Sequence, residues 1–187
     1  MPASPDAIHR LFFALWPDDD VRGAMRDRAQ AIETACTPGG RSTSPGRYHM
    51  TLQFLGSFRP LPEAIVDSAI AAADTLRTSA FELVLDRAGS FQRSRVWWLG
   101  CAESPALQGL HAQFAVALRS VGLGSPDPAP FAPHVTVGRN PRCPVRAHPI
   151  DPLPWPVREF VLVDSAAGAP AYRIVRRWPL EPVNRGC

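Results

Sequence analysis

Two stretches, 48–55 (YHMTLQFL) and 134–138 (HVTVG), place the same demand on any fold this chain can adopt. Each holds a histidine and, two residues on, a threonine, with apolar residues between and after them. Side chains at i and i+2 of a strand share one face. As strands, the two stretches present His49 with Thr51 and His134 with Thr136, while Met50, Leu52 and Phe54, and Val135 and Val137, turn to the core. A slip of one residue would bury the histidines and expose the apolar set, so the register is strongly specified.

The elements around these strands follow from pattern and punctuation. The apolar run 10–16 ends at Pro17 and reads as a buried strand; Asp18, Asp19 and Asp20 then supply the cap and acidic first turn of a helix to about Cys36. The segment 37–46 (TPGGRSTSPG) is loop, and Gly56 closes the His49 strand. A second helix follows Pro62 and covers 64–76. Alternation over 81–86 predicts a strand, paired in a hairpin with 95–99 across a loop at 89–94. Ser104-Pro105 opens a third helix that stops at Gly122, and 125–133 is a rigid loop. Prolines at 141, 144, 149, 152, 154 and 156 predict an irregular surface crossing, neither helix nor central strand. Strands at 157–165 and 172–180 close the chain.

Helices and strands interleave without a βαβ rhythm, which gives an α+β fold with mainly antiparallel sheets and helices outside. Each half has a helix, a proline-bearing loop and a His-x-Thr strand. Residues 1–187 thus read as one domain of two pseudo-symmetric lobes, contributing 49–51 and 134–136 to a central cleft.

Composition removes several classes of function. Apolar residues form 45% of the chain, too many for a disordered protein. The net charge of +3 permits a polyanionic partner without demanding one. All 20 cationic residues are arginine, so lysine Schiff-base chemistry is excluded. Nucleotide bias in a genome accounts for such a surplus, although arginine also suits bidentate phosphate contacts. Cys36, Cys101, Cys143 and Cys187 form no metal-ligand pattern and fit free thiols in a reducing cytosol. No stretch has the length of a membrane span and none reads as a secretion signal, so the expectation is a soluble, cytoplasmic protein.

Two imidazoles and two hydroxyls around one point suit displacement at a phosphodiester. The reaction needs a base for the incoming water, an acid for the leaving oxygen, and donors for the non-bridging oxygens. No carboxylates accompany the histidines, which leaves metal-assisted hydrolysis without support. A single His-x-Thr carries little weight, since a lone strand histidine is usually structural. The paired copies in matching halves carry the argument.

The stretches RLFFALWP (10–17), HMTLQFLG (49–56) and PHVTVGR (133–139) resemble the 2′-5′ RNA ligase / RNA 2′,3′-cyclic phosphodiesterase family of the 2H phosphoesterases. FELVLDRAGSF (81–91), RVWWLG (95–100) and the ending 160–180 match its pattern too. The resemblance implies a bilobal fold without cofactor or metal, acting on RNA with a 2′,3′-cyclic phosphate end, tRNA fragments included, to give a 2′-phosphomonoester. It implies His49 as proton donor to the 3′-oxygen and His134 as proton acceptor from water. Reversible 2′-5′ joining of RNA ends is implied as well, and a monomer is expected. The second motif has Val137 where leucine is commoner, and the proline-rich 139–156 permits no transfer of contacts. Alternatives are an RNA-end-binding module without turnover, or a phosphodiesterase for a small compound such as ADP-ribose 1″,2″-cyclic phosphate.

Other residues are candidates for holding the substrate. The family carries an arginine where Arg139 stands, yet strand parity turns it away from the histidines unless Gly138 marks a bulge or the strand end. Phe54 and Phe131 are candidate base platforms, Phe54 with core packing as its competing role. Arg47 and Tyr48 offer a phosphate contact or a solvated strand edge. His9, His111 and His148 lack a threonine two residues on and read as structural or surface groups. Of the adjacent Trp97 and Trp98, at most one faces the core.

Overall fold

The computed structural model describes residues 7–124 and 130–182. In chain order the elements are β1 (His9–Leu15), α1 (Asp19–Cys36), β2 (Arg41–Ser42), β3 (Met50–Phe58), α2 (Glu63–Asp74), β4 (Phe81–Phe91) and β5 (Val96–Cys101). After them come α3 (Pro105–Ser120), β6 (His134–Arg139), β7 (His148–Val157), β8 (Glu159–Ala166) and β9 (Arg173–Pro179). The helix starts follow their caps. Asp18 accepts from the Val21 amide at 2.9 Å, and Ser104 accepts from that of Leu107 at 3.4 Å.

The strands run in the order β7-β4-β5-β6-β3-β1-β8-β9, with β2 added beside β6, and each neighbouring pair is antiparallel. This α+β sheet has a weak seam at its middle. A single residue pair, Met50 with Val135, joins β3 to β6. Two wings result: β7-β4-β5-β6 and β3-β1-β8-β9. Both seam residues are fully buried.

Two of the three helices, α1 and α3, cross between the wings. Helix α1 leaves β1 yet lies against β7 of the other wing, where Arg28 pairs with Asp151 at 2.6 Å. Helix α3 leaves β5 and packs on the β3-β1-β8-β9 wing, with Phe114 4.6 Å from Phe13 and 5.0 Å from Phe160. Helices α1 and α3 thus each cover the wing opposite the one they leave, whereas α2 stays on the wing of β3, packed on α3 with Asp74 held by Arg176 and Trp178 of β9. One continuous apolar core runs behind both.

Several expectations are corrected here. Residues 148–157 form a strand, not an irregular crossing, but one at the edge of the sheet. Pro152, Pro154 and Pro156 recur at the strand period, so their missing amides fall on one side. Leu153, Trp155 and Val157 alternate with them and are buried. Proline at that spacing is compatible with pairing on one side only, and it blunts the open edge. The strand β4 runs on through Gly89 to Phe91, because the Trp98 indole lies over Gly89 and Gly100; a Cβ would meet it at 2.7 and 2.9 Å. Gly56 does not end β3: it sits in the strand at φ 145°, beside a bulge at Leu55. In the predicted 37–46 loop, Arg41 and Ser42 form a two-residue strand. Part of the loop expected at 125–133 lies outside the described residues.

Candidate active site

The seam positions the two motifs. Extending the antiparallel register of Met50 with Val135 by one residue each way sets His49 beside Thr136 and Thr51 beside His134. The four polar side chains alternate around a square on the face opposite the core. The histidines occupy one diagonal, where side-chain roots are about 7–8 Å apart.

Both rings are anchored alike. Nδ1 of His49 lies 2.7 Å from the carbonyl oxygen of Arg47, and Nδ1 of His134 lies 2.7 Å from that of Ala132, each two residues upstream. A carbonyl only accepts, so both Nδ1 atoms carry hydrogen and both Nε2 atoms are free for chemistry. Surroundings separate the two. His49 stacks on Phe12 at 5.0 Å and Trp16 at 6.1 Å, with the edge contact of Tyr172 at 5.4 Å. His134 has one aromatic neighbour among the described residues, Phe91 at 4.9 Å.

Protonation of His49 is pushed down to about 4, chiefly by burial; its Arg47 hydrogen bond opposes this, and the charges of His134 and Arg139 add to it. His134 is also lowered below the ordinary 6.5, again first by burial and then by Arg139. The two imidazoles and Arg139 therefore share one electrostatic neighbourhood.

A bulge resolves the parity conflict at Arg139. Trp97 pairs with Gly138 and Trp98 with Thr136, which leaves Val137 as the extra residue on β6. The bulge reverses the alternation beyond it and turns Arg139 to the histidine side. Trp97 is buried, and Trp98 lies opposite Thr136.

The core role expected for Phe54 is overturned. Its side chain is 57% exposed, because a bulge at Leu52 puts it opposite Phe12 on the histidine face. Phe131 stacks on His111 at 4.0 Å, so one face of its ring is already covered. Tyr48 is buried and not part of a solvated edge. Arg47 sends its guanidinium to the carbonyls of Ala169 and Pro170, at 2.6 and 3.1 Å, and over the ring of Tyr172. Its role is to latch the loop between β8 and β9. His111 meets Gln53 at 3.0 Å, and His9 pairs at 2.9 Å with buried Asp164, which Arg173 also engages.

Sequence reasoning missed the aromatic walls Phe12, Trp16 and Tyr172. The first two were legible as alternate residues of the 10–16 run, since β1 lies next to β3. Among the described residues, no group of three or more His, Cys, Asp or Glu side chains could hold a metal ion.

Residues 17–169 match the family described as the 2′-5′ RNA ligase superfamily. The chain belongs to this superfamily. A curated relative in Escherichia coli (strain K12), named RNA 2′,3′-cyclic phosphodiesterase, is 34% identical over 180 residues, covering 91% of this chain and 96% of that protein. A Geobacillus stearothermophilus protein of the same name is 33% identical, covering 71% of this chain and 45% of its own length. Among solved structures, Escherichia coli LigT complexed with 3′-AMP superimposes with a TM-score of 0.75 at 29% identity, over 92% of this chain and 98% of that one.

Proposed function

We propose that this chain hydrolyses the 2′,3′-cyclic phosphate at an RNA end to a 2′-phosphomonoester. The observation that carries the reading is the seam itself: one buried residue pair brings two identically anchored histidines to a common diagonal, each beside the other strand's threonine. The names and coverage of the relatives support the substrate class.

In the proposed reaction, Nε2 of His134 takes a proton from water as its oxygen bonds to phosphorus. The bond from phosphorus to the 3′-oxygen breaks, and His49 delivers its proton to that oxygen. Thr51 and Thr136 donate to the non-bridging oxygens, and Arg139 offsets their charge. A ring that releases its proton as readily as His49 is a strong acid once loaded, and the bound phosphate anion favours its loading. Exposed Phe54 offers a face on which a base can stack. An RNA hydroxyl in place of water would give a 2′-5′ linkage by the same displacement. Water at about 55 M favours hydrolysis unless a second end is held in position. We place this work in the cytoplasm, in keeping with the free thiols at Cys36, Cys101 and Cys143.

The deciding experiment supplies an oligonucleotide with a 2′,3′-cyclic phosphate and identifies the product in EDTA. A 2′-phosphate at undiminished rate is expected, with losses of about 10²–10⁴-fold in His49→Ala and in His134→Ala. A 3′-phosphate product would reverse the leaving group, and loss in EDTA restored by added metal would refute the mechanism.

A further inference from the structure

Beside the histidines lies a cavity of about 510 Å³ whose lining includes four arginines, Arg10, Arg41, Arg47 and Arg139, and no carboxylate. Among the described residues none of the four is in an ion pair. Arg41 stands directly opposite Arg139 across the β2–β6 pairing. Like charges in that position destabilise a sheet, and a bound anion would relieve them. The chain also builds this juxtaposition at some cost. Gly40, at φ 88°, passes so close to the carbonyls of Arg139 and Asn140 that a Cβ would collide with both.

The same lining carries the hydroxyls of Ser44 and Ser165, side chains that can donate to phosphate oxygens beside the guanidinium groups. One wall is the loop that Arg47 latches through Ala169 and Pro170, so the cavity is already formed.

We infer that this cavity is a second phosphate subsite, which takes the group on O5′ of the terminal nucleotide. The inference rests on the function proposed above. Arg139 borders both sites, so the cavity begins where the reacting phosphate ends. A ribose whose 2′ and 3′ oxygens share the cyclic phosphate can carry its next phosphate at O5′ alone. The enzyme is thereby built for the end of a chain rather than a free cyclic nucleoside phosphate.

Two substrates isolate the claim: adenosine 2′,3′-cyclic phosphate, and the same compound with a 5′-phosphate. The expected ratio of kcat/KM in favour of the 5′-phosphorylated compound is about tenfold or more at low salt. It should shrink toward one in Arg10→Ala and Arg41→Ala, and on raising salt. A wild-type ratio near one, or a ratio that survives in both variants, overturns the subsite. A chain inactive on both compounds refutes the proposed function instead. Calorimetry of adenosine 5′-phosphate against adenosine then reads the subsite without turnover, with equal affinities in the wild-type protein counting against it.

Discussion

His49 and His134 share an anchor but not an environment, and the difference has consequences for pH. The proposed reaction needs one imidazole protonated and the other neutral. With His49 pushed to about 4 and His134 lowered from 6.5, that pairing is most abundant on the acid side of neutrality in the free enzyme. The profile of kcat/KM should be bell-shaped with its maximum below pH 6.5, and kcat should hold to higher pH because bound phosphate favours protonation. A plateau of kcat/KM into alkali would contradict this. Stability follows the same sign. A histidine whose folded value lies below its unfolded one binds fewer protons when folded, so its contribution is intact above about pH 6.5 and is lost as pH falls toward 4. The loss is on the order of 3 kcal/mol. Urea unfolding at pH 4.5 and 6.5 checks it: the wild-type difference should shrink in His49→Gln.

At the scale of elements, bulges decide what the site contains, and they mark the limit of what the sequence disclosed. Alternation identified β3 and β6 and placed His49 with Thr51 and His134 with Thr136, because those pairs lie within unbroken stretches. Past the extra residues at Leu52 and Val137 the alternation reverses, and neither residue type announces it. Parity therefore misassigned Phe54 and left Arg139 in conflict. The prolines of β7 misled for a related reason: proline density argues against a strand, and only the spacing of 152, 154 and 156 shows that one edge remains free to pair. The bulge on β6 also yields a test. Buried Gly138 follows Val137, and a Cβ there would run into the Trp97 indole within the core. Gly138→Ala should lose about 1–3 kcal/mol by overpacking, and turnover should fall with the displacement of Arg139. Gly109→Ala on α3, where a Cβ meets nothing within 4 Å, should instead gain about 0.5–1 kcal/mol. Equal denaturation midpoints for the two variants would sink the argument.

The whole molecule solves a problem that its seam creates. One residue pair between β3 and β6 is too little to hold two wings at a fixed spacing. Sequence order supplies the rest. Helix α1 leaves one wing to cover the other, α3 makes the reverse crossing, and a common core joins the two layers. Neither wing can then unfold without uncovering its neighbour, so the histidine diagonal is held by the entire core rather than by the seam. Phe114→Ala tests this from a distance, since its contacts are with Phe13 and Phe160 on the β3-β1-β8-β9 wing. The substitution should cost about 3–5 kcal/mol. In native-state hydrogen exchange, amides of β4 and β5 on the far wing should lose as much protection as those of β1 and β8. Loss confined to β1 and β8 would mean that the wings open separately, and the spacing of the two imidazoles would need another support.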